Sequence, residues 1–293
     1  MYTFTCFGEV LWDVFPDHEK IGGAPLNVAL RLNSFGDKVA MISAVGNDRL
    51  GDQLIHYLKE NNLTSEFVQV NQEYQTGKVN VTLDKNKSAS YEIKYPVSWD
   101  FIELNDENIH LVKNSKVFIF GSLICRNAVS KKTLDGLLNY ANFKVFDVNL
   151  RPPFYSFELL HELMQKADFV KFNDEELELI AKNLNSGFHT IEENISFIAQ
   201  KFNLSHICVT RGGNGAILWI KGEFYFNSGY PIVVKDTVGA GDSFLASLVY
   251  KLTHNIHPQD ALNFACAVGA LVAGSEGANP KISESDIMQM MLN

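Results

Sequence analysis

The 293-residue chain is 46% apolar and 20% charged, ordinary globular usage that excludes a disordered chain and leaves room for one large α/β domain or two small ones. Its formal net charge of −9 offers no basic footprint for a nucleic-acid backbone, although backbone N–H groups can still hold the phosphates of a small ligand. No basic segment precedes an apolar run at the N-terminus, and no apolar run approaches the ~20 residues of a membrane span, so no membrane partner and a cytoplasmic location are expected. Cys6, Cys125, Cys208 and Cys266 are far apart, none lies in a Cys-x-x-Cys pair, and all are expected as buried free thiols.

In chain order, β-branched and aromatic runs predict strands over 3–8, 39–44, 117–121, 144–149, 169–172, 206–210 and 216–220. Apolar residues at helical spacing predict helices between them over 26–35, 52–60, 131–141, 174–184 and 191–202. That alternation predicts βαβ units around a mostly parallel sheet, with ligands at the carboxyl ends of its strands. One region departs from it. Runs over 67–70, 77–83 and 88–93, the last two separated by the polar turn Asp84-Lys85-Asn86-Lys87, predict a strand meander without helices. A single domain over 1–293 is therefore expected, with a small β-sheet built mainly from about 66–95 plus part of about 10–21. Such a sheet suits a lid over a site that excludes water; a decorative insertion is the alternative.

The segment Asp236-Thr237-Val238-Gly239-Ala240-Gly241-Asp242 is followed by a helical pattern through Phe244, Leu245, Leu248 and Leu252. A Gly-Ala-Gly turn feeding a helix bares N–H groups at the positive end of the helix dipole, an anion site. Asp242 at the helix start can serve as a base for a hydroxyl or as a simple N-cap, and local physics leaves both open. Other segments are similarly two-sided. Gly22-Gly23 permits close backbone approach and Asn27 offers a donor and an acceptor, or the stretch is an ordinary loop-to-helix start. Asp13, expected at the carboxyl edge of the first strand, is a ligand or a turn residue. Asp147, Asn149 and Arg151 alternate along one strand direction, with an Asp147–Arg151 ion pair as the structural alternative. Asn173 and Glu176, three apart at a strand-to-helix junction, can reach a phosphate or a hydrated magnesium, or Asn173 can cap the helix. Thr210, Gly212 and Gly215 fit a phosphate loop or a plain β-turn.

Taken together, these segments resemble the ribokinase/PfkB family of carbohydrate kinases over essentially the whole chain. The 236–244 segment resembles the family's C-terminal signature, and Ile21-Gly22-Gly23-Ala24-Pro25-Leu26-Asn27-Val28-Ala29 resembles its N-terminal one. Asn173-Asp174-Glu175-Glu176 resembles its Asn-x-x-Glu motif, and Thr210 to Gly215 resembles its nucleotide loop. The resemblance implies a ribokinase-like three-layer α/β/α sandwich with a small β-sheet lid. It implies Asp242 as catalytic base, with the amides of Gly239, Ala240 and Gly241 as the anion hole. For the sugar it implies Asp13, Gly22, Gly23, Asn27, Asn149 and Arg151. For the nucleotide it implies Asn173, Thr210, Gly212 and Gly215, with Glu176 meeting magnesium through water and Asp236 at a monovalent-cation (K+) site. The implied ligands are ATP, Mg2+ and a monosaccharide.

The motifs Gly8-Glu9, Asp13, Gly-Gly-Ala-Pro-x-Asn and Asp-x-Asn-x-Arg-Pro look most like fructokinases, so D-fructose giving fructose 6-phosphate is the expected reaction. Ribose, 2-keto-3-deoxygluconate, nucleosides and a non-catalytic sugar sensor stand as alternatives. A dinucleotide oxidoreductase and a P-loop NTPase are excluded by missing motifs. The sequence leaves open whether the meander covers its own site or pairs with a second copy in a homodimer.

Overall fold

Phe4–Phe7 (β1) is buried at every position, as a strand covered on both faces must be. Its one polar side chain, Thr5, bonds Ser115 inside the protein, so the strand has no side to turn toward water, and that fixes it at the centre of a sheet. The computed structural model describes residues 1–83 and 89–292, and the chain divides into two compact units, Met1–Asn142 and Phe143–Asn293.

In the first unit, β1 is followed by Leu11–Val14 (β2), Glu19–Gly22 (β3), Ala24–Ser34 (α1), Val39–Gly46 (β4) and Arg49–Glu60 (α2). Then come Val68–Asn71 (β5), Gly77–Leu83 (β6), Ala89–Ile93 (β7), Asp106–Lys113 (α3), Val117–Gly121 (β8) and Ala128–Leu138 (α4). The strands β8-β1-β4-β5 form a parallel sheet, against which α1 and α2 pack. Asp48 caps α2 by accepting from Gly51 N–H, and Leu50, Leu54 and Leu58 form its buried stripe. Each fully buried leucine in such a stripe stabilises the fold by about 1.5–3 kcal/mol. The cap explains why α2 starts at Arg49 rather than at the expected residue 52, since capping side chains mark helix ends more sharply than apolar period does.

A second, smaller sheet runs β3-β2-β6-β7, with β2–β6 parallel and the outer pairs antiparallel. The run expected over 67–70 does not join it: β5 pairs parallel to β4, with Val68 opposite Ser43. The alternating pattern fixes a strand but not its partner. The reversal comes from Asn71, whose side chain accepts from Glu73 and Tyr74 N–H and turns the chain away before β6. The expected polar turn over 84–87 lies outside the described residues.

Both legs of the small sheet are anchored in this unit. Where β6 departs, Thr76 donates its N–H to Asp48 Oδ2 and its hydroxyl to Asp48 Oδ1, each at 2.8 Å, and accepts Gly46 N–H. Next to it, the Trp99 indole lies so close to Gly77 that a side chain there would overlap it. Where β7 returns, Arg126 donates to Lys94 O at 2.7 Å and grips Asp100 at 2.7 and 2.8 Å. Its guanidinium stacks 3.7 Å over the Trp99 ring. The Arg126–Asp100 side chains are 1% and 0% exposed, so the pair has been taken wholly out of water.

The second unit contains Lys144–Asp147 (β9), Phe157–Lys166 (α5), Phe169–Asn173 (β10), Asp174–Asn183 (α6), Ile191–Phe202 (α7) and His206–Thr210 (β11). Ala216–Ile220 (β12), Glu223–Asn227 (β13), Ala240–Thr253 (α8), Pro258–Ala273 (α9) and Glu284–Leu292 (α10) complete it. Its strands run β13-β12-β11-β10-β9, with β9, β10 and β11 parallel and the last two antiparallel. Ser156, Asn173 and Thr190 cap α5, α6 and α7; α6 and α7 pack on β11, and α9 packs on α8, β12 and β13. The strands expected over 206–210 and 216–220 and the helix over 191–202 coincide with β11, β12 and α7. All four cysteines are free and buried. No helix of the described residues is long and apolar enough to cross a membrane.

Replacing Arg126 by Met should lower stability by about 3–5 kcal/mol, because it strands the buried Asp100 carboxylate. An unchanged melting temperature would contradict that reading. A second expectation concerns pH. Burial, with Lys221 adding to it and Asp168 opposing, pushes the His206 pKa down to about 4. The unfolded chain takes up this proton below ~6.5, whereas the folded one resists until about 4, so folding stability is lost as pH falls through that interval. The loss should reach about 3 kcal/mol in full. Urea titrations at pH 7 and 4.5 should show a smaller difference in His206→Gln than in the wild type; equal differences would contradict it.

Candidate active site

Around the Gly-rich turn the structure bears on one of the two roles left open for Asp242, that of N-cap. The N-cap of α8 is Gly239, at φ 76°, with no side-chain cap, and Asp242 stands inside the first helical turn. Asp242 is therefore not the cap, which corrects the simple capping alternative. The reason is local: Gly239 takes the left-handed backbone that ends the loop, a conformation that strains any residue with a Cβ. A Cβ there would also lie 2.6 Å from Ala278. The first amides of a helix have no acceptor within it, and they lie at the positive end of its dipole. Ala240 N–H partly leaves this set, because it donates to Thr237 O at 3.3 Å.

Below the turn lies a group that the motifs did not reveal. Lys171, in the middle of β10, is buried and its ammonium sits 3.0 Å from Asp147 Oδ1. The same nitrogen is 3.5 Å from the position a Cβ on Gly241 would take. Burial alone would lower its pKa; the carboxylates of Asp147, Glu176 and Asp242 outweigh that and hold it above the ordinary lysine range. The available signal was the charge itself, a lysine flanked by Phe169, Val170 and Phe172 in a strand with no solvent face.

The loop after β9 departs from the expected alternation. β9 stops at Asp147, and Asn149 turns into the left-handed region at φ 38°. The three residues therefore do not share one strand face, and Asp147 pairs with Lys171 rather than Arg151. The Arg151 side chain is exposed and donates to Leu150 O at 3.0 Å. Asn173 and Glu176 form a capping box: Asn173 Oδ1 accepts Glu176 N–H at 2.7 Å, and Glu176 Oε2 accepts Asn173 N–H at 2.9 Å. Glu176 Oε1 accepts Leu150 N–H at 2.8 Å. Burial raises the Glu176 pKa, against the pull of the Lys171 charge and of these N–H groups.

Thr210 ends β11 opposite Asn173 and donates its hydroxyl to Phe172 O at 3.3 Å. Gly212 and Gly213 border open space, whereas a side chain at Gly215 would overlap Asn227 O and Gly229 N. Gly215 is thus demanded by the turn itself. Asp236 accepts from Val238 N–H at 3.0 Å and Gly277 N–H at 3.2 Å, joining the loop before α8 to the loop after α9.

In the first unit, Asp13 does not end the first strand. β1 stops at Phe7, and Asp13 lies in β2 of the small sheet, opposite Lys20 and Val79. Gly8, at φ 151°, separates the two strands. Gly22, at the end of β3, faces Asp13: a Cβ there would stand 2.5 Å from Asp13 Oδ2. Gly23 caps α1, and Asn27, buried on that helix, donates its N–H back to Gly23 O. Asp13, Gly22 and Gly23 are thus brought together, with Asn27 one turn on.

Gly239→Ala should destabilise the fold by about 1–3 kcal/mol, from strained backbone and overlap. Gly213→Ala, at a position with no neighbour within 4 Å, should be within ~0.5 kcal/mol of wild type. Denaturant midpoints test both, and equal effects would contradict the assignment of strain to Gly239.

Comparison with known proteins supplies the family. A curated fructokinase of Solanum tuberosum is 28% identical over 316 residues, covering 97% of this chain and 94% of that protein. The fold matches a fructokinase of Vibrio cholerae O395 in fructose-, ADP- and calcium-bound form, with a TM-score of 0.85, 24% identity and 99% of each chain covered. It also matches a putative ribokinase II of E. coli, with a TM-score of 0.86 at 20% identity, covering 100% and 99%. The α/β fold, with its mostly parallel strands and smaller second sheet, is ribokinase-like. The family model described as "pfkB family carbohydrate kinase" matches residues 3–285, and the chain belongs to that family of carbohydrate kinases.

Proposed function

We propose that the protein is an ATP-dependent fructokinase that moves the γ-phosphate of ATP to the 6-hydroxyl of D-fructose. The observation that carries this reading is Asp242 placed inside the first turn of α8, behind a cap supplied by Gly239. A carboxylate in the first helical turn, close to the helix N-terminal amides, is what a base for a phosphoryl-accepting hydroxyl requires. Asp242 takes the hydroxyl proton as that oxygen bonds to the γ-phosphorus and the bond to the bridging oxygen of ADP breaks. The amides of Gly239, Gly241 and, less fully, Ala240 stabilise the charge that develops on the phosphoryl oxygens. Lys171, fixed beneath Gly241, adds a positive charge close to the same turn.

Asp13, Gly22, Gly23 and Asn27 are proposed for the sugar, with Asn149 and Arg151. Asp13 is suited to the role because one carboxylate can take two charge-assisted hydrogen bonds from neighbouring hydroxyls. Asn173, Thr210, Gly212 and Gly215 are proposed for the nucleotide, and β3-β2-β6-β7 for the lid. Fructose rests on the fructokinases among the relatives, whose 28% identity supports the sugar class more firmly than the sugar.

The side chains do not form a magnesium cage. Both Glu176 oxygens accept backbone N–H groups, and among the described residues no group of three or more His, Cys, Asp or Glu could hold a metal. Magnesium therefore belongs with the nucleotide phosphates, whose charge it neutralises when bound. A monovalent cation is proposed beside Asp236, held by that carboxylate and by carbonyls of the two loops it joins.

A coupled ADP-release assay over fructose, ribose, 2-keto-3-deoxygluconate and nucleosides tests the reading. Fructose should give the highest kcat/KM, and Asp242→Asn should lower kcat by roughly 10²–10⁴-fold. Preference for another sugar would replace fructose. Wild-type turnover in Asp242→Asn would remove the base, and no turnover alongside sugar-induced thermal stabilisation would make the protein a sensor.

A further inference from the structure

We propose that Glu176 is a positioning residue that holds the loop carrying Asn149 and Arg151 in its ligand-binding shape, and that it does not act through a metal. The inference rests on the reading of Asn149 and Arg151 as sugar-side residues. Its geometry is independent of that reading.

The two carboxylate oxygens of Glu176 serve two different chain segments. Oε2 accepts Asn173 N–H at 2.9 Å, within the capping box of its own helix. Oε1 reaches across to Leu150 N–H at 2.8 Å, in the loop after β9. One side chain thus ties the start of α6 to that loop, and at 7% exposure it does so largely out of water. A buried charge-assisted hydrogen bond of this kind is stronger than a neutral one and sensitive to loss of either partner.

Leu150 is the residue where such a tie matters. Asn149 before it sits at φ 38°, a conformation unfavourable for a residue with a side chain, which persists only where the surroundings impose it. They impose it from both sides. Val148 N–H donates to Lys171 O at 3.1 Å and Leu150 N–H donates to Glu176, so Asn149 is bracketed by two bonds to the same β10–α6 segment. The effect extends one residue further, because the Arg151 guanidinium donates to Leu150 O at 3.0 Å. Leu150 thus carries both contacts, its N–H to Glu176 and its carbonyl to Arg151, on the two peptide units that flank it. Lys171, paired with Asp147 at the end of the strand that leads into the loop, opposes with its charge the upward push of burial on the Glu176 pKa.

Glu176→Gln separates the two roles. The amide keeps the size of the carboxylate but has one acceptor oxygen, so its NH2 must face one of the two backbone donors. Asn173 is held by its own capping box, and the Leu150 amide is the one expected to be released. In the full-length variant the Leu150 amide should exchange with deuterium at least ~10-fold faster, and KM for fructose should rise roughly 10-fold. The magnesium concentration for half-maximal activity should stay within ~2-fold of wild type. In wild-type protein stripped of metal with EDTA, Leu150 should remain protected, a reading that needs no variant to fold.

Unchanged Leu150 protection in Glu176→Gln, or lost protection on removing metal, would overturn the clamp. A raised magnesium requirement with unchanged KM for fructose would return Glu176 to the metal. Faster Leu150 exchange with unchanged sugar kinetics would overturn the positioning role, and it would point to Asn149 and Arg151, rather than to the clamp, as the failed assignment.

Discussion

One buried ammonium among three carboxylates organises the second unit. Lys171 lies 3.0 Å from Asp147, and Glu176 and Asp242 both act on its charge. Taking an ion of this size out of water has an effective penalty of several kcal/mol, which only well-placed partners offset. The end of β9, the middle of β10 and the starts of α6 and α8 therefore have to converge on one point. The arrangement is better understood as a positioning device than as a source of stability, since buried ion pairs seldom stabilise more than apolar packing would.

The first unit solves a different problem, that of attaching a small sheet to a larger one without leaving it loose. Asp48 grips Thr76 where β6 leaves, and Arg126, stacked on Trp99, grips Lys94 O where β7 returns. Both anchors are buried or half-buried polar networks, which are strong when every partner is present and costly when one is removed. Asp13 and Gly22 lie on the strands between these anchors and the helix start at Gly23. Asp13, the carboxylate proposed for the sugar, is thereby carried on a sheet whose legs are fixed and whose body has its own register.

Much of this was legible in the sequence, and the parts that were not share a cause. The turn before α8 was readable because glycine at a helix start and the period of Phe244, Leu245 and Leu248 are local signals. The helix stripes and β11 were readable for the same reason. Partner choice was not. Alternation in 67–70 marked a strand, but nothing in it distinguished pairing with β4 from pairing with β6. Asp13 was placed on the first strand because the backbone break at Gly8 has no apolar signature. The run from Asp147 to Arg151 looked like continuous strand, whereas the bonds that bracket the left-handed turn at Asn149, to Lys171 O and to Glu176, come from a segment distant in sequence. Lys171 was visible as a charge in an apolar strand; its meaning needed three carboxylates that are separated from it in sequence and brought to it by the fold.

The central claim is that this site phosphorylates the primary 6-hydroxyl of a sugar with ATP, and the position of the new bond tests it most directly. Uniformly 13C-labelled fructose turned over by the wild-type protein with ATP should give a product whose C6 resonance is split by phosphorus, with C1 unsplit. Phosphorus coupling at C1, or ATP consumption without any phosphorylated sugar, would contradict the account.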